Sequence, residues 1–193
     1  YKGGFDDNEV PMCKISGELK YVPVNIAQYG FMLHDDWIEN NDVIILGKLQ
    51  NCLSILNQTK TVKGNTCSWI HDYKEEKYDI EPPWTSAMAQ GEVISFYLRM
   101  YQILNEDKLL KTAIQAYNFL KIEYKDGGVR RYDSDGNLWF EEYPSKQPSF
   151  VLNGFIYTLL GLYDLYRVTG DVDVKKDIDA SIKTLKGNIH HFD

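Results

Sequence analysis

The chain has 193 residues and a formal net charge of −7. This acidic balance argues against nucleic acid as the main partner, because phosphate backbones select basic surfaces. No run approaches the roughly 18 apolar residues of a membrane-spanning helix. The cysteines, Cys13, Cys52 and Cys67, lack the spacing of a zinc site or a disulfide framework. Because the chain begins at Tyr1 without a methionine, we expect a piece of a longer protein. A secretory or cell-envelope location would require a targeting segment before Tyr1.

The first half of the chain predicts an arm, two helices and a long irregular stretch. Residues 1–21 are polar and turn-rich, which favours an extended N-terminal arm before a domain that spans residues 22–193. Pro23 opens a helical segment, and a second helix after Asp42 carries apolar residues on one face. Residues 57–85 look irregular, although Trp69, His71 and Tyr73 alternate as in a short strand.

The second half predicts four helices and a hairpin. Helices are expected over residues 86–104 and 107–124, the latter with one apolar face. Turn residues at 133–137 between two strand-like runs favour a β-hairpin over residues 129–140. A fifth helix, over residues 151–168, is apolar nearly all round, and a sixth starts near Asp173.

A repeat underlies this order of elements. Gln28, Gln90 and Asn153 recur at intervals of roughly sixty residues, each after a proline, each next to or near a glycine, and each opening a well-buried helix. A helix with one apolar face follows each time. Because a helix that is apolar all round must be covered on every side, the alternation predicts inner and outer helices. We therefore expect a mainly α fold: an incomplete α/α toroid of about three helical hairpins, with the β-hairpin in a long loop.

Chemistry concentrates in the run Trp-Phe-Glu-Glu-Tyr-Pro from Trp139 to Pro144. It lies in one of two loops, residues 57–85 and 125–149, that far exceed the median loop length of about 4–6 residues. Long loops at one end of a rigid barrel are where a site is expected. A connecting loop needs only Gly, Pro and polar residues, so two carboxylates beside a tyrosine indicate a chemical function.

Two blocks of the sequence resemble the C-terminal catalytic domain of the D-glucuronyl C5-epimerases. They are Trp-Thr-Ser-Ala-Met-Ala-Gln-Gly at residues 84–91, and the stretch of residues 139–155 with Gly-Leu-Tyr-Asp-Leu at residues 161–165. The resemblance implies an isomerase that converts glucuronate to iduronate in heparan-type glycosaminoglycans, on an α/α toroid, without metal or nucleotide cofactor. It also implies further catalytic tyrosines beyond the position that matches Asp193, and an N-terminal β-domain.

The same resemblance assigns the roles of several residues. Tyr143 matches a catalytic tyrosine, Glu142 the catalytic glutamate and Asn153 an amide of the site. The physical argument slightly favours Glu141 over Glu142, because Glu141 and Tyr143 share a face on an extended backbone; we follow the resemblance. Further substrate-binding candidates are the amide Gln90, the cation Arg131, Glu141, and the rings Trp84 and Trp139, while Arg130 and Lys146 are alternative cations for a uronate carboxylate.

Other functions of an α/α toroid stay open at this stage. A polysaccharide lyase shares C5 proton abstraction, an inverting glycosidase could pair Glu141 or Glu142 with Asp133, and a non-catalytic toroid could only bind carbohydrate. The expected partner in each case is a polysaccharide, uronate-containing for the leading hypothesis. An open half-ring would expose apolar inner faces, which predicts a homodimer or poor solubility.

Overall fold

A computed structural model of the protein describes residues 3–192 and contains six α-helices in that range. They run in antiparallel succession as three hairpins: α1 (Pro23–Asn40) with α2 (Val43–Thr59), α3 (Ala87–Leu104) with α4 (Asp107–Leu120), and α5 (Leu152–Thr169) with α6 (Val172–Asn188).

The predicted alternation of inner and outer helices is confirmed. Helix α3 contacts α1, α4 and α5, whereas α2 packs mainly on α1 and α6 mainly on α5. Helix α3 is accordingly buried over most of its length. Helices α1, α3 and α5 therefore form the inner layer of the toroid, and α2, α4 and α6 form the outer layer.

Short sequence signals set the helix ends. Pro23 occupies the first turn of α1, where its missing N–H costs no hydrogen bond. The Ser86 hydroxyl accepts a hydrogen bond from the Ala89 N–H at the start of α3 (3.3 Å). Asp42 and Asp171 cap α2 and α6 in the same way. Helix α5 has no capping side chain at its N-cap residue, Val151, and its first turn instead meets a carboxylate described below.

Three antiparallel sheets complete the fold of the described residues. The first is a meander of β1 (Gly3–Phe5), β2 (Pro11–Ile15) and β3 (Glu18–Lys20), where the sequence favoured an extended arm. The second pairs β4 (Lys60–Lys63) with β5 (Thr66–Trp69), inside a stretch expected to be irregular. The third pairs β6 (Arg130–Tyr132) with β7 (Leu138–Phe140), which confirms the predicted hairpin.

Glycines allow the inner helices to touch closely. A Cβ atom built on Gly91 of α3 would lie 2.5 Å from the Thr158 Cα of α5, and one on Gly161 would lie 2.5 Å from the Gly91 carbonyl carbon. On the other side of α3, a Cβ on Gly30 would come within 2.6 Å of the Phe96 ring. Two of these glycines, Gly30 and Gly91, belong to the sequence repeat, so the repeat encodes close helix packing.

One flank of α5 is left uncovered. Tyr157, Leu160 and Tyr163 lie on one face of the helix and are 41%, 54% and 51% exposed. These large side chains are apolar or aromatic, so the face is open for association.

Among the described helices, none combines the length and the hydrophobicity needed to cross a bilayer.

We predict that Gly91→Ala destabilises the protein by about 1–3 kcal/mol, because the added methyl group would force backbone segments apart. Gly47 is the matched control: it is also helical, and a Cβ there meets nothing within 4 Å. Gly47→Ala should instead stabilise by up to about 1 kcal/mol through helix propensity. Urea unfolding measures both, and equal effects at the two positions would contradict the packing argument.

We also predict that the protein self-associates through the open face of α5. Light scattering coupled to size exclusion should show a species above the monomer mass, and Leu160→Glu should shift it toward monomer. Lys183→Glu on α6 is the control for an added negative charge. A wild-type monomer at all accessible concentrations would rule out this association.

Candidate active site

The candidate site lies where the N-terminal ends of the inner helices meet the long loops. A cavity of about 90 Å³ opens there. Its walls come from the chain before and within α1, the loop before α3, the first turn of α3 and the loop after β7; they include His71, Tyr73, Trp84, Met88, Glu142 and Tyr143.

Glu142 is the carboxylate that faces this cavity. The chain bends at Glu142 and Tyr143 directly after β7, and the bend turns Glu142 toward the first turn of α5. A Cβ on Gly154 would lie 2.5 Å from the Glu142 Cβ, so only glycine leaves room for this side chain. The Gly154 N–H and the Tyr143 hydroxyl both interact with the carboxylate. Glu142 thus takes the position of a cap at the N-terminus of α5.

Burial and neighbouring negative charge raise the pKa of both Glu142 and Tyr143, so each holds a proton more tightly than it would in water. Burial raises the pKa of Glu142, while Tyr143 and the cation Lys77 oppose that rise. Burial, followed by the charge of Glu142 and their hydrogen bond, raises the pKa of Tyr143. The Tyr143 phenol therefore stays neutral at rest, and Glu142 is a stronger base than an exposed glutamate.

Aromatic rings hold Tyr143 in place. Its ring stacks on Tyr78, with centroids 4.3 Å apart and planes 15° apart, and it lies 5.8 Å from the Trp84 ring. Trp84 in turn stacks on His71 at 4.2 Å and donates its indole N–H to the Tyr73 carbonyl (2.8 Å). Trp84 is only 7% exposed. Trp84 supports the tyrosine. Because His71, Tyr73 and Tyr143 all lie against its ring, the stacking of Trp84 on a sugar ring stays a prediction that this geometry does not favour.

Glu141 points away from Tyr143, into the interior. Its carboxylate accepts hydrogen bonds from the Ser149 hydroxyl (2.5 Å) and the Phe150 N–H (3.1 Å), and Arg131 Nε lies 3.0 Å away. Glu141 is 1% exposed. Glu141 therefore fastens the loop of residues 145–150, and its contact with substrate stays a prediction that this geometry does not favour. The alternation argument failed because the backbone bends where it assumed an extended strand.

Arg131 is also committed to the interior. Besides the ion pair with Glu141, it donates to the Ser145 carbonyl (2.6 Å) and stacks on the Tyr124 ring at 3.8 Å. The alternative cation Arg130 pairs with Asp177. Neither guanidinium is free to meet a substrate carboxylate, whereas Lys77, which acts on Glu142, and the exposed Lys146 remain accessible.

Gln90 and Trp139 are core residues. The Gln90 amide accepts from the Trp69 N–H (3.1 Å) and donates to the Cys67 carbonyl (3.0 Å), which ties β5 to α3, and the residue is 0% exposed. Trp139 packs on Phe155 and donates its indole N–H to Asp133. Their contacts with substrate stay predictions, which this burial does not favour. Asn153, by contrast, is exposed in the first turn of α5, beside Gly154.

The sequence reasoning missed Glu92. It lies on α3, is 3% exposed, and accepts a hydrogen bond from the Gln28 amide (3.1 Å). Burial raises its pKa to about 7, and the charge of Glu142 contributes. A signal was present: Glu92 is the only acidic residue in the run of residues 84–98, which is otherwise apolar, small or neutral. An ionisable residue in such a run either has a partner or a function.

Sequence comparison identifies relatives of the chain. Residues 63–193 match the family described as D-glucuronyl C5-epimerase C-terminus. The D-glucuronyl C5-epimerase of Caenorhabditis elegans is 48% identical over 99 residues, which cover 51% of this chain and 16% of that protein. The Methanocaldococcus jannaschii protein MJ1128 is 27% identical over 128 residues, covering 65% of this chain and 42% of its own length. The chain thus spans less than half of either relative.

Solved structures share the fold. Cellobiose 2-epimerase from Spirochaeta thermophila superposes with a TM-score of 0.58 at 12% identity, over 85% of this chain and 42% of that one. The α-1,6-mannanase GH76A of Salegentibacter, in an inactive variant bound to α-1,6-mannotriose, superposes with a TM-score of 0.61 at 17% identity, over 86% and 47%. Because both sequence identities are low, these structures bear on the fold alone, and they confirm the α/α toroid.

We predict that His71 makes the protein less stable in acid. Burial lowers its pKa from 6.5 to about 4, so the unfolded chain binds the additional proton between those values and stability falls as pH falls through that window. At pH 5 the loss attributable to His71 should be about 2 kcal/mol relative to pH 7. Urea unfolding of wild type and His71→Phe, which keeps a ring on Trp84, measures the difference. An unchanged pH dependence in the variant would contradict this assignment.

Proposed function

Because the chain belongs to the D-glucuronyl C5-epimerase C-terminus family, which matches residues 63–193, we propose that it forms part of a carbohydrate epimerase that acts on uronate residues of a polysaccharide. The family resemblance drawn from the sequence motifs is confirmed by that match. The reaction we propose is the interconversion of glucuronate and iduronate by removal and return of the proton at C5. The observation that carries it is the pair of a buried Glu142 and a half-buried Tyr143 at the cavity.

Epimerisation at C5 breaks the C5–H bond and leaves its electron pair conjugated with the carboxylate, as an enediolate. The pair has the parts for this step. A neutral Tyr143 can take the C5 proton only if its own hydroxyl proton leaves at the same time, and Glu142 is the acceptor in contact with it. Proton transfer then runs from C5 to the Tyr143 oxygen and from that oxygen to Glu142, which balances charge and protons.

The elevated pKa values suit this coupled transfer. Burial makes Glu142 a better acceptor, and it prevents Tyr143 from ionising without a substrate. In the reverse direction the same phenol returns a proton to C5, and Glu142 supplies its replacement. The Gly154 N–H at the start of α5 stabilises the Glu142 carboxylate in its charged form.

The substrate carboxylate gains negative charge in the enediolate and needs a cation or donor. Lys77 is the accessible cation that already acts on Glu142, and the exposed amide of Asn153 stands beside Gly154. We assign Lys77 and Asn153 to substrate binding. Inversion also needs proton delivery from the opposite face of the sugar, and we assign that role to groups outside this pair.

The rival chemistry of a glycosidase is disfavoured by geometry. Asp133, its proposed second carboxylate, accepts hydrogen bonds from the Asn137 N–H (2.9 Å) and from the indole N–H of Trp139 (3.1 Å). It therefore closes the turn between β6 and β7. Glu141 is likewise bound to Ser149. Asp133 and Glu141 are both held by other protein groups, so they do not form the pair of carboxylates that would flank a glycosidic bond.

The test is deuterium exchange at C5. The protein at its full natural length is incubated in D2O with glucuronate-containing oligosaccharides, and deuterium at C5 is followed by NMR. Tyr143→Phe removes the proton-transferring oxygen and should reduce exchange by at least about 10²-fold, as expected for loss of a general acid–base group. Glu142→Gln should have a similar effect. Tyr163→Phe is the matched control, because Tyr163 is an exposed residue of α5 that does not line the cavity.

Other outcomes would assign other functions. An unsaturated, ultraviolet-absorbing product would identify a lyase, and new reducing ends would identify a glycosidase. Binding of uronate oligosaccharides without exchange, unchanged by Tyr143→Phe, would identify a non-catalytic carbohydrate-binding toroid.

A further inference from the structure

Glu92 is a second buried carboxylate close to the pair that the proposed reaction uses. It lies on the inner helix α3, adjacent to Gly91, where α3 and α5 touch. Glu142 packs against Gly154 of α5. The close contact of the two helices therefore places both glutamates in one interior region, and the charge of Glu142 acts on Glu92.

The hydrogen bonding of Glu92 is incomplete. Gln28 Nε2 donates to its Oε1 atom at 3.1 Å, but within residues 3–192 its buried Oε2 atom has no hydrogen-bond partner. Glu142 shows the same pattern, because its Oε2 atom is buried without a well-aligned donor in that part of the chain. An unpaired buried carboxylate oxygen costs free energy, and a proton on one of the two carboxylates reduces that cost.

We propose that Glu92 and Glu142 share one proton at neutral pH, and that Glu92 is a positioning residue which sets how readily Glu142 accepts the proton of Tyr143. The catalytic part of this statement rests on the proposed function; the sharing of the proton does not. When Glu92 loses its proton, a negative charge appears beside Glu142 and makes it a stronger base.

Other charged and polar groups shift the ionisation of the two glutamates in defined directions. Lys77 and the Gly154 N–H favour the charged form of Glu142, whereas Glu75 disfavours it. The Gln28 amide favours the charged form of Glu92. His71, which lines the cavity, has its pKa lowered to about 4 by burial and is neutral above that value. The upper ionisation of the pair thus belongs to the two carboxylates.

Infrared titration tests the shared proton without any substrate. The carboxylic-acid C=O band of wild type should lose intensity in a step near pH 7, and Glu92→Gln should lack that step. Gln28→Ala should keep the step but shift it to higher pH, because the donor that favours ionised Glu92 is gone. Gln28 is exposed, so this variant should fold even where Glu92→Gln does not. Glu123→Gln, on the surface beside Lys125, is the control and should titrate like wild type.

The rate profile tests the catalytic part. In wild type, kcat for C5 exchange should rise through the same step near pH 7; Glu92→Gln should flatten that rise and leave KM near wild type, and Gln28→Ala should move it upward in pH. A step that persists in Glu92→Gln would overturn the shared proton even if exchange occurs. Absence of exchange in wild type, with the infrared step present and lost in Glu92→Gln, would overturn the proposed function and leave the shared proton established.

Discussion

The contact between α3 and α5 is the constraint on which the site depends. Gly91 and Gly161 let the two backbones meet without intervening side chains, and dispersion forces between closely packed atoms hold them there. This contact fixes where the first turn of α5 stands relative to α3. The loop after β7 must then fit its Glu142 side chain against Gly154. Any widening of the helix contact would move Glu92 of α3 away from Glu142, which packs against Gly154 of α5.

The start of α5 joins a structural need to a chemical one. A helix without a capping side chain leaves backbone N–H groups unpaired; the Glu142 carboxylate lies against Gly154, whose N–H favours its charged form. The same carboxylate loses water by burial, which acts in the opposite direction on its charge. Burial prevails, so Glu142 remains basic. A glutamate that merely capped a surface helix would be a weaker base, and one buried without the helix would lose the N–H that favours its charged form.

The sequence was sufficient for the fold but only partly for the site. Apolar periodicity and the amide–glycine repeat predicted the inner and outer helices, because these patterns report burial directly. The hairpin of β4 and β5 was overlooked although Gly64-Asn65 lies at its turn. The ion pair of Glu141 with Arg131 in the interior was not predicted, because no one-dimensional pattern shows that a backbone bends and turns a side chain inward. Glu92 was missed although it is the only acidic residue among residues 84–98; its hydrogen-bond partner, Gln28, lies 64 positions away and could not be predicted.

Unpaired buried polar atoms are a feature of the site. Within residues 3–192, six buried side-chain nitrogen or oxygen atoms have no hydrogen-bond partner, and three of them belong to His71, Glu92 and Glu142. Elsewhere along the inner helices, Arg99 of α3 donates to Asp164 of α5 at 2.9 Å, whereas the buried Nδ1 atom of His34 on α1 is also unpaired. Buried polar groups are almost always satisfied in native proteins, so a concentration of exceptions needs a reason. The cavity is flanked by a tyrosine that can transfer a proton, and the unsatisfied carboxylate oxygens can accept that proton. The free energy that these unpaired oxygens cost the fold is consistent with a function at this place.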